Sequence, residues 1–238
     1  MEFKTSISKM SEKDHIIRGE KLSKLVEGSF SDAIFLILRG KKPNKAESKI
    51  FESMLTISID HGMGTSSSLT SRFVMSTGNT INVAVGAGVL ALGNHHGGAI
   101  EKAMEQLSSI DDVDDFVEKS LKEKNVIYGF GHKIYKDADP RTLQLLDICK
   151  NEKFTSMFLD EALAIEKALE AKKGKKICLN VDGVMAAILL EMGFTSDAGR
   201  AVFVIARVPG LAAQAVEEKD NEKPVRRVDE EEISYEGE

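Results

Sequence analysis

Apolar residues recur along this chain mostly at the three-to-four-residue spacing of helices rather than in the alternation expected of strands. In NKAESKIFESMLTIS (44–58), Asn44 and Glu47 form the pattern of a reciprocal helix cap, and Ile50, Phe51, Met54 and Leu55 follow on one face. FTSMFLDEALAIEKALEAKKGKK (154–176) repeats the pattern through Phe158, Leu159, Ala162, Leu163 and Leu169, then closes on lysines and Gly174, as a helix end does. TSDAGRAVFVIARVPGLAAQAVEE (195–218) opens on a Thr/Ser cap and is interrupted or kinked at Pro209. With SDAIFLILRG, SIDDVDDFVEKSLKEK and PRTLQLLDICKNE, the pattern predicts about ten helices joined by short loops. Strand candidates are few: NVIYGF (125–130) and KKICLNVDGV (175–184) are extended loop entries or one small β element. No βαβ alternation, internal repeat or heptad seam is present, so the fold class is all-α.

One segment departs from the amphipathic pattern. Residues 77–99 are mostly small or aliphatic and contain six glycines. Small residues let helix backbones approach closely, so this segment is expected to be a helix buried on most sides, at a subunit or lobe interface. It breaks at Gly93 and resumes after Gly97 and Gly98, and the break carries His95 and His96.

Composition narrows the function classes. The 238 residues are 42% hydrophobic and 29% charged, enough to build a substantial core, and the formal net charge of -6 argues against a nucleic-acid or anionic-membrane surface. Cys149 and Cys178 lie far apart with no ligand spacing around them, which predicts free buried thiols and a reducing cytoplasm. The N-terminus lacks the apolar core of a signal sequence, and no uninterrupted apolar run approaches the roughly 18 residues of a membrane span. The expectation is a soluble cytoplasmic protein.

Histidines and arginines carry the candidate chemistry. His15 sits in a charged stretch and reads as solvated, whereas His61 (DHGMG), His95 and His96 (GNHHGGA) and His132 (GFGHK) each border a glycine or another histidine. Taken singly, each is most often a hydrogen-bonded loop residue; three Gly/His breaks in one helical chain strain that explanation. Metal binding is disfavoured, because adjacent histidines point their rings apart and no HxxxH, HxxE or Cys/His set is present. GFG is too short for a phosphate loop and lacks GK[ST]. Arg207, embedded in FVIARVPG, needs a buried carboxylate or an anionic ligand. Asp182, leading into VMAAILLEMG, is either a helix cap or, facing a cleft beside histidines, a general base.

GNHHGGA, GFGHKIYKDADPR, NVDG, ARVPGLAAQ and RRV resemble, in this order, the motifs of the citrate synthase superfamily, and GxGHxxYKxxDPR is specific to it. The resemblance implies a dimeric all-α fold with a large helical lobe (1–97 and 188–238) and a small inserted lobe (98–187). It implies His96, His132 and Asp182 as the catalytic set, and His61, Arg141, Arg207 and Arg227 as ligands of the substrate carboxylates and keto or hydroxyl group. Arg227 would reach the neighbouring subunit's site. Val126, Ile127, Tyr128, Gly129, Phe130 and Gly131 would line the coenzyme A adenine site.

The glycine after Asp182, where synthases commonly carry an aromatic, the shortness of the chain, and Thr65 and Ser67 near DHG look more like citryl-CoA lyase and the citrate-synthase-like module of ATP citrate lyase. His96 is a synthase-like feature that the lyase module can lack. The implied activity is cleavage of citryl-CoA to acetyl-CoA and oxaloacetate, with a compact citrate or 2-methylcitrate synthase and a silent regulatory subunit as alternatives. No tightly bound cofactor or metal is implied, since coenzyme A arrives as part of the substrate; a separate citryl-CoA synthetase is the implied functional partner.

Overall fold

A computed structural model describes residues 2–237. Among these, three two-residue antiparallel strands, β1 (Ser8–Lys9), β2 (Ile16–Ile17) and β3 (Glu20–Lys21), precede eleven α-helices. The helices are α1 (Leu22–Leu25), α2 (Phe30–Arg39), α3 (Lys45–Ile57), α4 (Ser66–Ser76), α5 (Ile81–Leu90), α6 (Ala99–Leu107), α7 (Val113–Glu123), α8 (Pro140–Asn151), α9 (Met157–Lys173), α10 (Val181–Glu191) and α11 (Ser196–Asn221). The all-α expectation holds. The small N-terminal sheet was outside it, and the two strand candidates meet only as a single antiparallel bridge, Phe130 with Leu179.

Local sequence explains the boundaries. At α3 the expected reciprocal cap forms: Glu47 N–H donates to Asn44 Oδ1 at 3.0 Å and Asn44 N–H to Glu47 Oε2 at 2.7 Å. Gly174 ends α9 in the left-handed conformation (φ 64°), which a side chain would disfavour. α11 runs unbroken through Pro209, so the expected interruption there is not realised. By length and composition α11 is apolar enough to cross a membrane, but nearly half of its apolar stretch is buried within the protein, and the helix carries Arg207, whose Nε donates to the Ser58 carbonyl at 2.9 Å.

Packing divides the chain into two compact units, Met1–Ile57 with Gly98–Phe203, and Ser58–Gly97 with Val204–Glu238. These share the 97/98 boundary with the lobes drawn from the sequence and differ at the others. In the first unit, α10 packs against α6, α8 and α9, and α3 against α2 and α8. Phe35, Phe51 and Phe194 join into one ring cluster with centroids 5.0–5.7 Å apart. Burying each such ring contributes about 1.5–3 kcal/mol, which is why α2 and α3 belong with the later helices.

In the second unit α4 pairs with α5. A Cβ on Gly88 would come within 3.0 Å of the Ser67 carbonyl oxygen, so glycine permits this approach. Only Ala84 and Gly88 of α5 are buried, while Ile81, Val83 and Leu90 are exposed. A helix buried on most sides, at a subunit or lobe interface, was expected; within one chain α5 is covered along a single narrow stripe.

Candidate functional site

The first unit gathers His132, Arg141 and Asp182 around two chain segments zipped together. Gly131 N–H donates to the Cys178 carbonyl (2.7 Å), Asn180 N–H to the Gly129 carbonyl (2.9 Å), and Asn180 Nδ2 to the Gly131 carbonyl (2.8 Å). The other end of the Asn180 amide caps α10, its Oδ1 accepting from Asp182 N (3.0 Å) and Gly183 N (3.2 Å). Asn180 is thus the cap, and Asp182 stands half-buried in the first turn. Gly183 has a steric reason to be glycine: a Cβ there would lie 2.4 Å from the Gly129 oxygen. An aromatic at 183 would force the 126–131 segment off α10. That segment is also read by Gln106, which donates to the Val126 carbonyl (2.8 Å) and accepts from Tyr128 N–H (2.9 Å).

His132 is half-buried and stacks on Tyr135, centroids 4.6 Å apart. Its Nδ1 faces the amides of Ile134 and Tyr135, both at 3.1 Å, and its Nε2 lies 3.3 Å from Arg141 Nη2. Three donors therefore contest the one lone pair of a neutral imidazole, and an imidazolium would satisfy none of them. Burial lowers the His132 pKa, Arg141 and Lys136 lower it further, and Asp139 opposes them. The ring is neutral in either tautomer. With the lone pair on Nδ1 it presents Nε2–H; with the lone pair on Nε2 it presents a base.

Asp139 escaped the sequence reading as a site residue. Its side chain is fully buried and fixes Arg141 in a fork: Nε donates to Oδ1 at 3.0 Å and Nη2 to Oδ2 at 2.8 Å. Burial pushes the Asp139 pKa up, but the hydrogen bonds and charge of Arg141 hold it below the usual carboxylate range. Its place before Pro140 reads as a helix cap, and the GxGHxxYKxxDPR motif contains it without assigning it a role.

Beside His132 opens a cleft of about 500 Å³, lined also by Tyr135, Lys136, Lys173, Lys175 and Lys176. The lysines of 172–176 read in the sequence as a helix stop; Lys173, Lys175 and Lys176 also supply positive charge around this cleft, which Asp137 lines as well, while Lys172 pairs with Glu118. Cys178 lines the cleft and Cys149 lies elsewhere in the core, both buried free thiols; burial pushes the Cys149 pKa up to about 11.

The second unit holds His61, His96, Arg207 and Arg227. His96 lies in the turn between α5 and α6, and its Nε2 is 2.8 Å from the buried Ser67 hydroxyl of α4. Burial lowers its pKa and Arg207 adds to the effect, so this imidazole is neutral too. When Ser67 donates to Nε2, the hydrogen sits on Nδ1 and is available to another acceptor. Arg207 is buried. His61 is exposed in the loop before α4, where Gly62 turns the chain with φ 82°. Arg227 is exposed, while its neighbour Arg226 is held by Glu218 through Nε (2.8 Å) and Nη2 (2.6 Å). Among the described residues, no three His, Cys, Asp or Glu side chains gather as a metal site.

Residues 2–228 match the family model described as citrate synthase, C-terminal domain. Citryl-CoA lyase from Hydrogenobacter thermophilus superposes with a TM-score of 0.96 at 44% identity, over 99% of this chain and 95% of that one. ATP citrate lyase from Methanothrix soehngenii, in complex with citrate and coenzyme A, superposes at 0.87 over 99% of this chain and 42% of that one; at 24% identity this likeness is one of fold alone. Citrate synthase 2 of Bacillus subtilis (strain 168) is 31% identical over 196 residues, 79% of this chain and 52% of its own length, so the chain spans about half the length of the curated relatives it matches. The chain belongs to the citrate synthase family.

Proposed function

We propose that this chain cleaves citryl-CoA to acetyl-CoA and oxaloacetate. The observation that carries the reading is the neutral His132 ring held 3.3 Å from the Arg141 guanidinium, a pairing fit to grip a hydroxyl oxygen beside a carboxylate. In cleavage, the tautomer with its lone pair on Nε2 takes the hydroxyl proton. The bond to the thioester methylene breaks, the ketone of oxaloacetate forms, and the electrons pass into the thioester as an enolate. His96, with its hydrogen on Nδ1, donates to the enolate oxygen, and Asp182 as the carboxylic acid delivers the proton that makes the acetyl methyl group. Arg141, Arg207, His61 and a neighbouring subunit's Arg227 hold the carboxylates. The 126–131 segment receives the adenine of coenzyme A, and Lys136, Lys173, Lys175 and Lys176 attract its phosphates. The lobes take the boundaries drawn from the sequence.

Direction rests on likeness in sequence: the citryl-CoA lyase is 44% identical over 99% of this chain, against 31% and 33% for two curated citrate synthases. The second reading is a compact citrate or 2-methylcitrate synthase. It is favoured by the two amides on His132 Nδ1, which select the tautomer whose Nε2–H donates to a ketone. Incubation with citryl-CoA, and separately with acetyl-CoA plus oxaloacetate, distinguishes the two. Rapid oxaloacetate release from citryl-CoA with little free thiol from the second mixture supports the lyase. Efficient thiol release from the second mixture overturns it in favour of the synthase, and no turnover in either supports a silent subunit.

The proposal includes a cytoplasmic homodimer fed by a separate citryl-CoA synthetase. The exposed apolar residues of α5 and the exposed Arg227 beside a pinned Arg226 support pairing with a second copy. A monomeric mass in sedimentation at micromolar concentration would remove that part.

A further inference from the structure

A helix cap needs one acceptor for the first-turn amides, yet Asp139 does considerably more. Its Oδ1 accepts the cap bond from Arg141 N–H at 3.0 Å and, at the same distance, Arg141 Nε. Its Oδ2 accepts from Arg141 Nη2 at 2.8 Å and from Val181 N–H at 3.2 Å. The first three bonds join Asp139 to its own helix, α8. The fourth crosses to the first residue of α10, one position before Asp182. No exposed side of this carboxylate remains, so any movement of Arg141 or of the α10 start breaks a buried charged hydrogen bond.

We infer that Asp139 is a positioning residue: it holds the Arg141 guanidinium against His132 and, through Val181, ties that pair to the helix turn that carries Asp182. The inference deepens the site proposed above and rests on it for the roles of His132, Arg141 and Asp182. A simple capping role is the competing account. Serine caps helices about as well as aspartate, but it has one short hydroxyl and no charge for the Arg141 fork and the Val181 amide together. Asp139→Ser therefore keeps the cap and removes the tie, and the same-shaped Asp139→Asn serves should the serine variant fail to fold.

With citryl-CoA as substrate, either variant is expected to raise KM about tenfold or more, the scale of a lost charged hydrogen bond, and to lower kcat. In an Arg141→Ala background, Asp139→Ser should add little further to KM, because the side chain it orients is already gone. Unchanged kinetics in Asp139→Ser, or effects on KM that multiply in the double variant, would overturn the inference. A second measurement does not depend on turnover. The charged groups acting on His132 are Arg141, Lys136 and Asp139, and its ring also meets Tyr135 and two amides. Asp139→Asn removes a charge that raises the His132 pKa and, if the tie holds Arg141 in place, also releases one that lowers it, so the His132 midpoint, followed by NMR with His132→Gln for assignment, should fall less with Arg141 present than in the Arg141→Ala background. Equal shifts in the two backgrounds refute the tie even if citryl-CoA proves not to be the substrate, whereas unequal shifts without turnover in any mixture leave the tie standing and sink the reaction.

Discussion

Asp139 in the first unit and Glu218 in the second are both carboxylates buried to zero side-chain exposure and bound to arginine, yet they use it oppositely. Asp139 holds one guanidinium and satisfies its remaining capacity with backbone amides, leaving Arg141 partly exposed at 23% beside His132. Glu218 takes Arg72 Nε at 2.8 Å as well as the fork of Arg226. Arg72 is almost wholly buried and also meets Gln214 and Glu217. The first arrangement leaves a positive group partly exposed beside His132, which lines a cleft. The second neutralises two positive groups internally and leaves the next residue, Arg227, outside. A buried ion pair is therefore no sign of a site in itself; what matters is whether donor capacity remains pointed at open space.

The sharpest way to break this comparison is to alter the acid/base residue of the presenting region. Asp182→Asn should lower kcat for citryl-CoA cleavage by about 10²–10⁴-fold, the usual worth of a positioned acid or base, and leave the melting temperature nearly unchanged, because Asn180 caps the helix. A variant that turns over normally would remove Asp182 from the chemistry.

The opposite signature is expected in the neutralising region. Glu218→Ala takes from Arg72 its buried carboxylate, leaving it Gln214 and the exposed Glu217 and Glu222, and should cost about 3–5 kcal/mol in urea unfolding, while Arg226→Met, which preserves the Arg72–Glu218 pair, should cost clearly less. The sign with pH follows from the Glu218 pKa, which Arg226 pulls down, burial pushes back up, and Arg72 lowers again, for a net depression. Stability from this carboxylate is complete above its unfolded value near 4.5 and disappears as pH falls through the lower folded value. Glu218→Gln should flatten that acid slope, and a variant retaining the full slope would show that the cluster contributes nothing to acid sensitivity.

These two regions were unequally legible in the sequence. His132, Arg141 and Asp182 stand in motifs of distinctive composition, and Asn44, Glu47 and Gly174 obey local capping rules that tertiary packing did not override. Asp139 and Asn180 were harder to see, because their importance lies in bonds to Val181 and Gly131, 42 and 49 residues away. The Arg72–Glu218 pair spans 146 residues, so no local pattern in either helix reports it. The three two-residue strands are too short for any alternation to register. The exposure of α5 has a different cause: its composition reports the burial it is suited to, and one chain covers only part of it.

Within the presenting region, binding separates from chemistry at Arg141. Lysine keeps the positive charge but cannot make the two-pronged contact with Asp139 and still face a substrate carboxylate. Arg141→Lys should raise KM for citryl-CoA about tenfold, equivalent to roughly 1.4 kcal/mol, with a smaller loss in kcat. A kcat loss as large as that of Asp182→Asn would mean that Arg141 acts on the reacting bond itself.

The smallest expected effect tests whether the presenting region extends into the lysine-lined cleft. Lys175 and Lys176 are exposed, so each attraction to a phosphate is screened by solvent and comparable to a surface ion pair, about 0.2–1 kcal/mol. Either lysine replaced by alanine should raise KM for a coenzyme A thioester about 1.4- to fivefold without changing kcat. Because the attraction is Coulombic between solvated groups, the wild-type KM should rise with salt, and the double variant should show a weaker dependence between low and physiological ionic strength, where the screening length falls to about 8 Å. The same exchange at Lys41 and Lys42, outside this cleft on the segment after α2, provides the control. If it raises KM equally, net charge rather than the cleft attracts the substrate; if only Lys175 and Lys176 respond, the positive groups around His132 form one continuous surface, from the hydroxyl oxygen to the phosphates.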